Sequence, residues 1–102
     1  MSDFLTHCRQ RVEQFPDNAV ARFSLAKALL DAGQFAEARD HFNTALAAQP
    51  DWMAVAILLG KCELALGNKA AARAAFEKAL NLAVAQHHEG PQSEMEQLLR
   101  EL

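Results

Sequence analysis

Residues 16–49 read PDNAVARFSLAKALLDAGQFAEARDHFNTALAAQ, and residues 50–83 read PDWMAVAILLGKCELALGNKAAARAAFEKALNLA. Aligned at this offset of 34 residues, the two segments share 12 identities, whereas composition alone would give about three. A period of this length indicates a structural unit repeated in tandem, and it decides the fold. The identical pairs are Pro16/Pro50, Asp17/Asp51, Leu25/Leu59, Lys27/Lys61, Leu30/Leu64, Gly33/Gly67, Ala36/Ala70, Ala38/Ala72, Arg39/Arg73, Phe42/Phe76, Ala45/Ala79 and Leu46/Leu80.

Each repeat is predicted to form a helical hairpin. A proline followed by a capping-type aspartate opens each unit, at Pro16 and Pro50, and a glycine interrupts it midway, at Gly33 and Gly67. Alanine and leucine together make up 35 of 102 residues, against 4 Val, 1 Ile and 2 Thr, so an all-α protein is expected. The predicted helices of the two repeats are residues 18–32, 35–48, 52–66 and 69–87.

The two ends differ from the repeats and read as capping helices. Residues 2–14 resemble the second helix of a repeat whose first helix is missing, with Phe4, Leu5 and Cys8 among the apolar residues at helical spacing. After the second repeat, Pro91 is expected to open a last helix with a polar outer face. We therefore predict a single domain, 1–102, with an N-terminal capping helix at 1–15, repeats at 16–49 and 50–86, and a C-terminal capping helix at 91–102.

Charge and composition disfavour several classes of function. The formal net charge is -3 and no basic cluster is present, so a nucleic-acid partner is not expected. No apolar run approaches the roughly 18 to 20 residues of a membrane span, and the chain does not start like a secretory signal, so a cytoplasmic protein without membrane association is predicted. Cys8 and Cys62 are far apart in sequence, which fits reduced thiols in that compartment.

No residue pattern points to catalysis, a metal or a cofactor. Cys8 is predicted to pack as a small hydrophobic residue, because the adjacent His7 and Arg9 point away from it on a helix. Cys62 is predicted to do the same because it lies among leucines. Adjacent helical residues point about 100° apart, so His87 and His88 cannot both face one metal ion and are read as a polar helix end. Gly-rich phosphate loops and paired carboxylates are absent from the sequence. The sequence therefore favours binding over catalysis.

The repeats resemble those of the tetratricopeptide repeat family, whose 34-residue unit carries a Leu-Gly pair, two small residues around a phenylalanine, and a closing proline. In this sequence Leu59-Gly60, Phe76 and Pro50 match those positions, whereas Glu63 and Val84 depart from them. The absence of proline at Val84 predicts that the fourth repeat helix runs long. The resemblance implies a right-handed stack of about six helices with a concave groove. The other matching positions are Leu25-Ala26, Ala38, Phe42 and Ala45 in the first repeat and Ala72 and Ala79 in the second.

In the family, a partner peptide or helix docks on the first helices of successive repeats, so the resemblance implies a protein partner for this groove. Lys27 and Lys61 fall in register above apolar residues, which favours an acidic or C-terminal carboxylate group on that partner. A chaperone-tail clamp is not supported, because Phe23 and Ile57 stand where that clamp has polar residues. The predicted groove residues are Val20, Phe23, Ser24, Lys27, Asp31, Ala54, Ile57, Leu58, Lys61 and Leu64.

Two alternatives to an open groove remain at this stage. Three hairpin equivalents bury little surface, and an under-capped terminal helix could pair with its symmetry mate to give a homodimer. Alternatively, the C-terminal helix could occupy the groove, because Glu94, Glu96 and the carboxylate after Leu102 are close enough in sequence to reach Lys61.

Overall fold

A computed structural model describes residues 3–102, which form six α-helices and no strand. The helices are α1 (Asp3–Gln14), α2 (Ala19–Asp31), α3 (Phe35–Ala48), α4 (Met53–Ala65), α5 (Lys69–Ala85) and α6 (Glu89–Glu101). The predicted all-α architecture is confirmed, and the bounds of α2, α3 and α4 agree with prediction within one residue. The predicted start of the first helix at Ser2 lies outside the described residues. None of the six helices is both long and apolar enough to cross a membrane.

The helices pack mainly against their neighbours in sequence, which produces an elongated array of 38 × 27 × 20 Å. Hairpins are formed by α2 with α3 and by α4 with α5, while α1 packs on α2 at one end and α6 on α5 at the other. Helix α5 has 17 residues, three more than α3, as expected from the missing proline at Val84. It ends at Ala85, two residues before the predicted limit.

Three turns in the array use a left-handed residue to end a helix. Gly33 (φ 79°) follows α2, Gly67 (φ 81°) follows α4, and His87 (φ 58°) follows α5. In each turn the amide of the left-handed residue and the next amide donate to carbonyls in the last turn of the helix, as His87 N does to Val84 O at 3.2 Å. The two glycine turns were predictable from the sequence, whereas the third was not, since a residue other than glycine seldom adopts this conformation.

Two helix starts differ from the sequence prediction. The aspartates after Pro16 and Pro50 do not cap helices, because the Pro-Asp pairs lie within turns and α2 begins one residue after Asn18. The side chain of Asn18 accepts a hydrogen bond from Ala21 N at 3.1 Å. Helix α6 begins at Glu89, so Pro91 is its third residue and does not open it. A proline is tolerated there because amides of the first turn have no partner within the helix.

Two apolar clusters form the core, and α4 contributes to both. The first extends from α1 to α5 and includes Cys8, Leu29 and Phe42, and the second joins α4 to α6 around Phe76 and Met95. Phe42, Phe76, Leu29 and Met95 have no exposed surface. Fully buried alanines beside the two phenylalanines allow the paired helices to approach closely. This packing fixes the relative positions of α2 and α4, and therefore of their exposed faces.

Candidate partner-binding groove

The ten predicted groove residues lie on α2 and α4, five on each helix, and none is buried. Along each helix the exposed members recur at helical spacing, opposite the face that packs in the core. The candidate groove therefore consists of two stripes, one on α2 and one on α4. Its exposed members are Val20, Lys27, Asp31, Ala54, Lys61 and Leu64, and its half-buried members are Phe23, Ser24, Ile57 and Leu58.

The floor of this surface is anchored to the core by aromatic and aliphatic contacts. The ring of Phe23 lies with its centroid 6.1 Å from that of Phe42 and 4.9 Å from that of Trp52, tilted by 35° to the latter. Leu58 packs on the first core cluster and Ile57 on the second. Trp52, half-buried at the start of α4, therefore lies at the seam between the two repeats.

A surface cavity of about 340 Å³ lies at the N-terminal end of the groove. Phe4 belongs to the apolar residues that recur at helical spacing along α1, but its side chain is 62% exposed and lines this cavity. The repeat pattern does not predict this exposure. In each repeat the second helix packs on a first helix, as α3 packs on α2, but no described helix precedes α1. The cavity is lined by Phe4, Phe23, Ser24, Lys27, Ala28 and Asp31, four of which are predicted groove residues.

The two lysines that share a register have different surroundings. Lys61 Nζ lies 3.2 Å from Glu94 Oε2 of α6, and both side chains are about half exposed. Lys27 forms no ion pair with any residue from 3 to 102. Helix α6 thus places a carboxylate at one end of the candidate groove, whereas no carboxylate of residues 3–102 pairs with Lys27.

A separate polar cluster fixes α1 to the hairpin of α2 and α3. Arg9 donates two hydrogen bonds to Glu37, one of them at 3.0 Å, and this contact lowers the pKa of the Glu37 carboxyl. Arg22 Nη1 lies 3.2 Å from His41 Nδ1. Burial first, and the positive charge of Arg22 second, lower the pKa of His41, so it acts as a neutral acceptor for Arg22. The cluster ties α1, α2 and α3 together, and none of its members is among the ten predicted groove residues.

The thiols lack the environment of a nucleophile. Cys62 has no exposed surface, and burial together with the neighbouring Glu63 raises its pKa to about 11. Burial also raises the pKa of Cys8, although Arg11 opposes the shift. Both side chains pack in the first core cluster, as predicted for small hydrophobic residues.

Comparison with known proteins gives matches over most of the chain. The tetratricopeptide repeat profile matches residues 10–51 and, in a second placement, 23–94. A TPR repeat-containing protein of Pseudomonas aeruginosa is 38% identical over 86 residues, which are 84% of this chain and 82% of the relative.

Two solved structures resemble the six-helix array. A Bordetella parapertussis protein, solved in solution, has a TM-score of 0.83 at 29% identity, and the match covers 99% of this chain and 88% of that one. A TPR domain of yeast Sti1, in a complex with pHsp70, also has a TM-score of 0.83, covering 94% of this chain and 77% of that one. At 20% identity the second match shows a shared fold alone.

Proposed function

This chain belongs to the tetratricopeptide repeat family, and from that we propose that it is a non-catalytic module that binds a peptide or helix of a partner protein in the groove of α2 and α4. The fold generally serves as a protein–protein interaction module, and proteins of the family are typically scaffolds without enzymatic activity. The raised pKa values of both thiols also argue against nucleophilic chemistry.

The ion pair between Lys61 and Glu94 is the observation from which we infer that the partner is acidic. One groove lysine already binds a carboxylate of the chain itself at 3.2 Å, whereas its counterpart one repeat earlier, Lys27, has no ion pair within residues 3–102. We infer that an acidic side chain or terminal carboxylate of the partner binds Lys27. A second carboxylate would have to displace Glu94 to reach Lys61.

The cavity next to Lys27 defines the rest of the inferred motif. Its apolar walls are Phe4, Phe23 and Ala28, which favour an aliphatic or aromatic side chain close to the acidic group. Phe23 is held by two aromatic neighbours, so this wall is rigid before binding. The preferred partner segment therefore carries one bulky apolar residue and one carboxylate. They lie about one turn apart if the segment is helical, or about two residues apart if it is extended.

Affinity capture from a lysate, using the folded chain as bait, tests the groove. The double variant Lys27→Glu/Lys61→Glu is compared with wild type, and Lys69→Glu/Arg73→Glu, at two exposed positions of α5, changes the net charge equally. We expect a protein retained by wild type and by the control to be lost with the groove variant. Equal capture by all three proteins would show that the binding surface lies elsewhere.

Trp52 provides a direct readout for any captured segment. It is the only tryptophan and lies 4.9 Å from Phe23, so occupation of the neighbouring cavity should change its fluorescence. Titration of a synthetic peptide from the captured protein should therefore give a saturable signal. The same peptide with its acidic residue replaced by the matching amide should bind about tenfold more weakly, since one charge-assisted contact is lost.

A further inference from the structure

Helix α6 packs as the first helix of a third, incomplete repeat. It packs on α5 as α4 packs on α3, and Met95 is buried in α6 as Leu25 and Leu59 are buried in α2 and α4. Leu59 follows Leu25 by 34 residues, and Met95 follows Leu59 by 36. The two additional residues arise because α5 is three residues longer than α3 and the connection after it is one residue shorter. Helix α6 therefore has the register of α2 and α4.

This register places a third stripe beside the two stripes of the candidate groove. The central members of each stripe are spaced by three and four residues, so they share one face of their helix. The ion pair between Lys61 and Glu94 joins the stripe of α4 to that of α6, so the two stripes face the same side of the array. We call the third stripe, formed by Glu94, Gln97 and Glu101, the α6 stripe. Its three residues are exposed and are equivalent to Ser24, Lys27 and Asp31 on α2 and to Leu58, Lys61 and Ala65 on α4.

The α6 stripe is the acidic side of the groove. The two groove lysines lie on α2 and α4, whereas the α6 stripe holds two glutamates and a glutamine. Arg100, the only cation of α6, follows Ser93 by seven residues, which make two helical turns, so both lie on one flank of the helix. On α2 the position equivalent to Ser93 is Phe23, which contacts Trp52 of the next repeat. Arg100 therefore lies on the side of α6 that faces away from α4.

Two members of the α6 stripe have no partner in the chain. Lys61 pairs with Glu94, but Gln97 and Glu101 form no ion pair or side-chain hydrogen bond within residues 3–102. They lie one turn apart, and an amide oxygen and a carboxylate both accept hydrogen bonds from an ammonium or guanidinium group. We propose that the groove extends over α6 and that a lysine or arginine of the partner binds Gln97 and Glu101. The inference rests on the proposed function, because it adds a second charged contact to the same partner segment.

The charges of the groove favour this site over the other exposed acid on it. Asp31 lies one turn from Lys27 on α2, so a cation that approaches Asp31 is repelled by Lys27. On the α6 stripe no cation lies within one turn of Glu101 on the same face. A uniformly acidic segment would meet like charge on α6, and a uniformly basic one would meet like charge at Lys27. The partner segment is therefore acidic at one end and basic at the other.

The spacing of the helices sets the distance between the two charges. Helices in contact lie about 8 to 10 Å apart, so Lys27 on α2 and the α6 stripe are separated by about 20 Å across α4. An extended chain rises about 3.3 Å per residue, so about six residues span this distance. We expect a segment with a carboxylate near Lys27, its apolar residue in the adjacent cavity, and a lysine or arginine about six residues from the carboxylate.

Selection from a displayed library of random peptides of about ten residues tests the extension without a known partner. Wild-type protein should enrich peptides with an acidic and a basic residue about six positions apart. Glu101→Lys should keep the acidic and apolar preferences and lose the basic one. Glu101 ends α6, where a cation interacts favourably with the helix dipole, so the substitution should leave the helix intact, which circular dichroism checks. Glu77→Lys, at an exposed position of α5, is the matched control and should select as wild type does.

A synthetic peptide from the selection then measures the contact through the fluorescence of Trp52. Glu101→Lys should weaken its binding by about three- to tenfold. Replacing the basic residue of the peptide with glutamate should weaken binding to wild type by a similar factor. The altered peptide should bind Glu101→Lys about as tightly as the original peptide binds wild type, because the two charges have been exchanged. If this exchange does not restore binding, the contact is not between these two charges and the proposal is wrong.

The outcomes separate this inference from the proposed function. Peptides with acidic and apolar residues but no basic preference overturn the contact on α6 and leave the groove function standing. The same holds for a basic preference that Asp31→Lys removes and Glu101→Lys does not. If no peptide is enriched, or if Lys27→Glu leaves the acidic preference unchanged, the groove function fails and this inference fails with it. A peptide-free dimer in sedimentation that Glu101→Lys dissociates would show that a second copy covers α6, and would also overturn the proposal.

Discussion

Replacing Gly60 with alanine should destabilise the protein, although alanine is the better helix former. A Cβ atom built on Gly60 would lie 2.4 Å from Phe76 Cε1 and 2.5 Å from Phe76 Cδ1. Carbon atoms in contact are normally about 3.5 to 4.0 Å apart, so the ring or its helix must move by about 1 Å or more. Phe76 has no exposed surface and packs against Met95 and neighbouring alanines, so it cannot swing into solvent.

The expected magnitude follows from two opposing contributions. Overpacking of a well-packed core costs about 1 to 3 kcal/mol, while exchanging glycine for alanine within a helix returns about 1 kcal/mol. With a contact as short as 2.4 Å the upper part of the range applies, and we expect a net loss of about 1 to 2 kcal/mol for Gly60→Ala. Urea unfolding followed by far-ultraviolet circular dichroism measures this change.

The variant Ala26→Gly and a Phe76→Leu background test whether the close approach of Gly60 to Phe76 causes this loss of stability. Ala26 occupies the same register in the first repeat and is fully buried, so Ala26→Gly should also destabilise, by about 1 to 2 kcal/mol, through lost packing and helix propensity. In a Phe76→Leu background, where the clashing ring atoms are absent, Gly60→Ala should become neutral or stabilising. Gly60→Ala that stabilises the wild-type protein by about 1 kcal/mol would refute the close approach.

Three further predictions concern the turn after α5, the groove and the polar cluster. His87→Gly should stabilise the protein by about 1 kcal/mol, raising the melting temperature by about 4 to 8 °C, because His87 has φ 58° where the two equivalent turns have glycine; His88→Gly, at φ -100°, should not. Glu94→Gln should tighten binding of an acidic peptide by about two- to tenfold, since it frees Lys61, and calorimetry with Glu96→Gln as control measures this. The pKa of His41 is lowered from its ordinary value of 6.5, so just below that value the unfolded chain binds a proton that the folded chain does not. Stability should therefore fall as the pH drops below about 6.5, and urea unfolding at several pH values should show a smaller fall for His41→Gln.

The repeat made most of the fold predictable from sequence. The positions of Leu25, Phe42 and Gly33 recur one repeat later because each hairpin meets the same packing problem, and the helix bounds follow from them. The turn at His87 was not predicted because glycine is the sequence signal for a left-handed residue, and this position has histidine. The cap at Asn18 was missed by one residue because Asp17 is an equally suitable capping type.

The candidate site was predictable only where it has a repeat counterpart. The stripes on α2 and α4 follow from helical periodicity, so residues such as Lys27 and Lys61 could be named in advance. The contribution of Phe4, and the choice of Glu94 over Glu96 as the partner of Lys61, depend on how the terminal helices pack. Those helices have no second copy in the sequence against which their register could be checked.

The two buried thiols can serve as internal reporters of partial unfolding. Cys8 lies on the terminal helix α1, whereas Cys62 lies on α4, which contributes to both core clusters. Detachment of α1 exposes Cys8 and leaves the central hairpins folded, but exposure of Cys62 requires the middle of the array to open. Alkylation rates at the two sulfurs, separated by mass spectrometry, would therefore rank the opening free energies of the end and the centre of the array without any added label site.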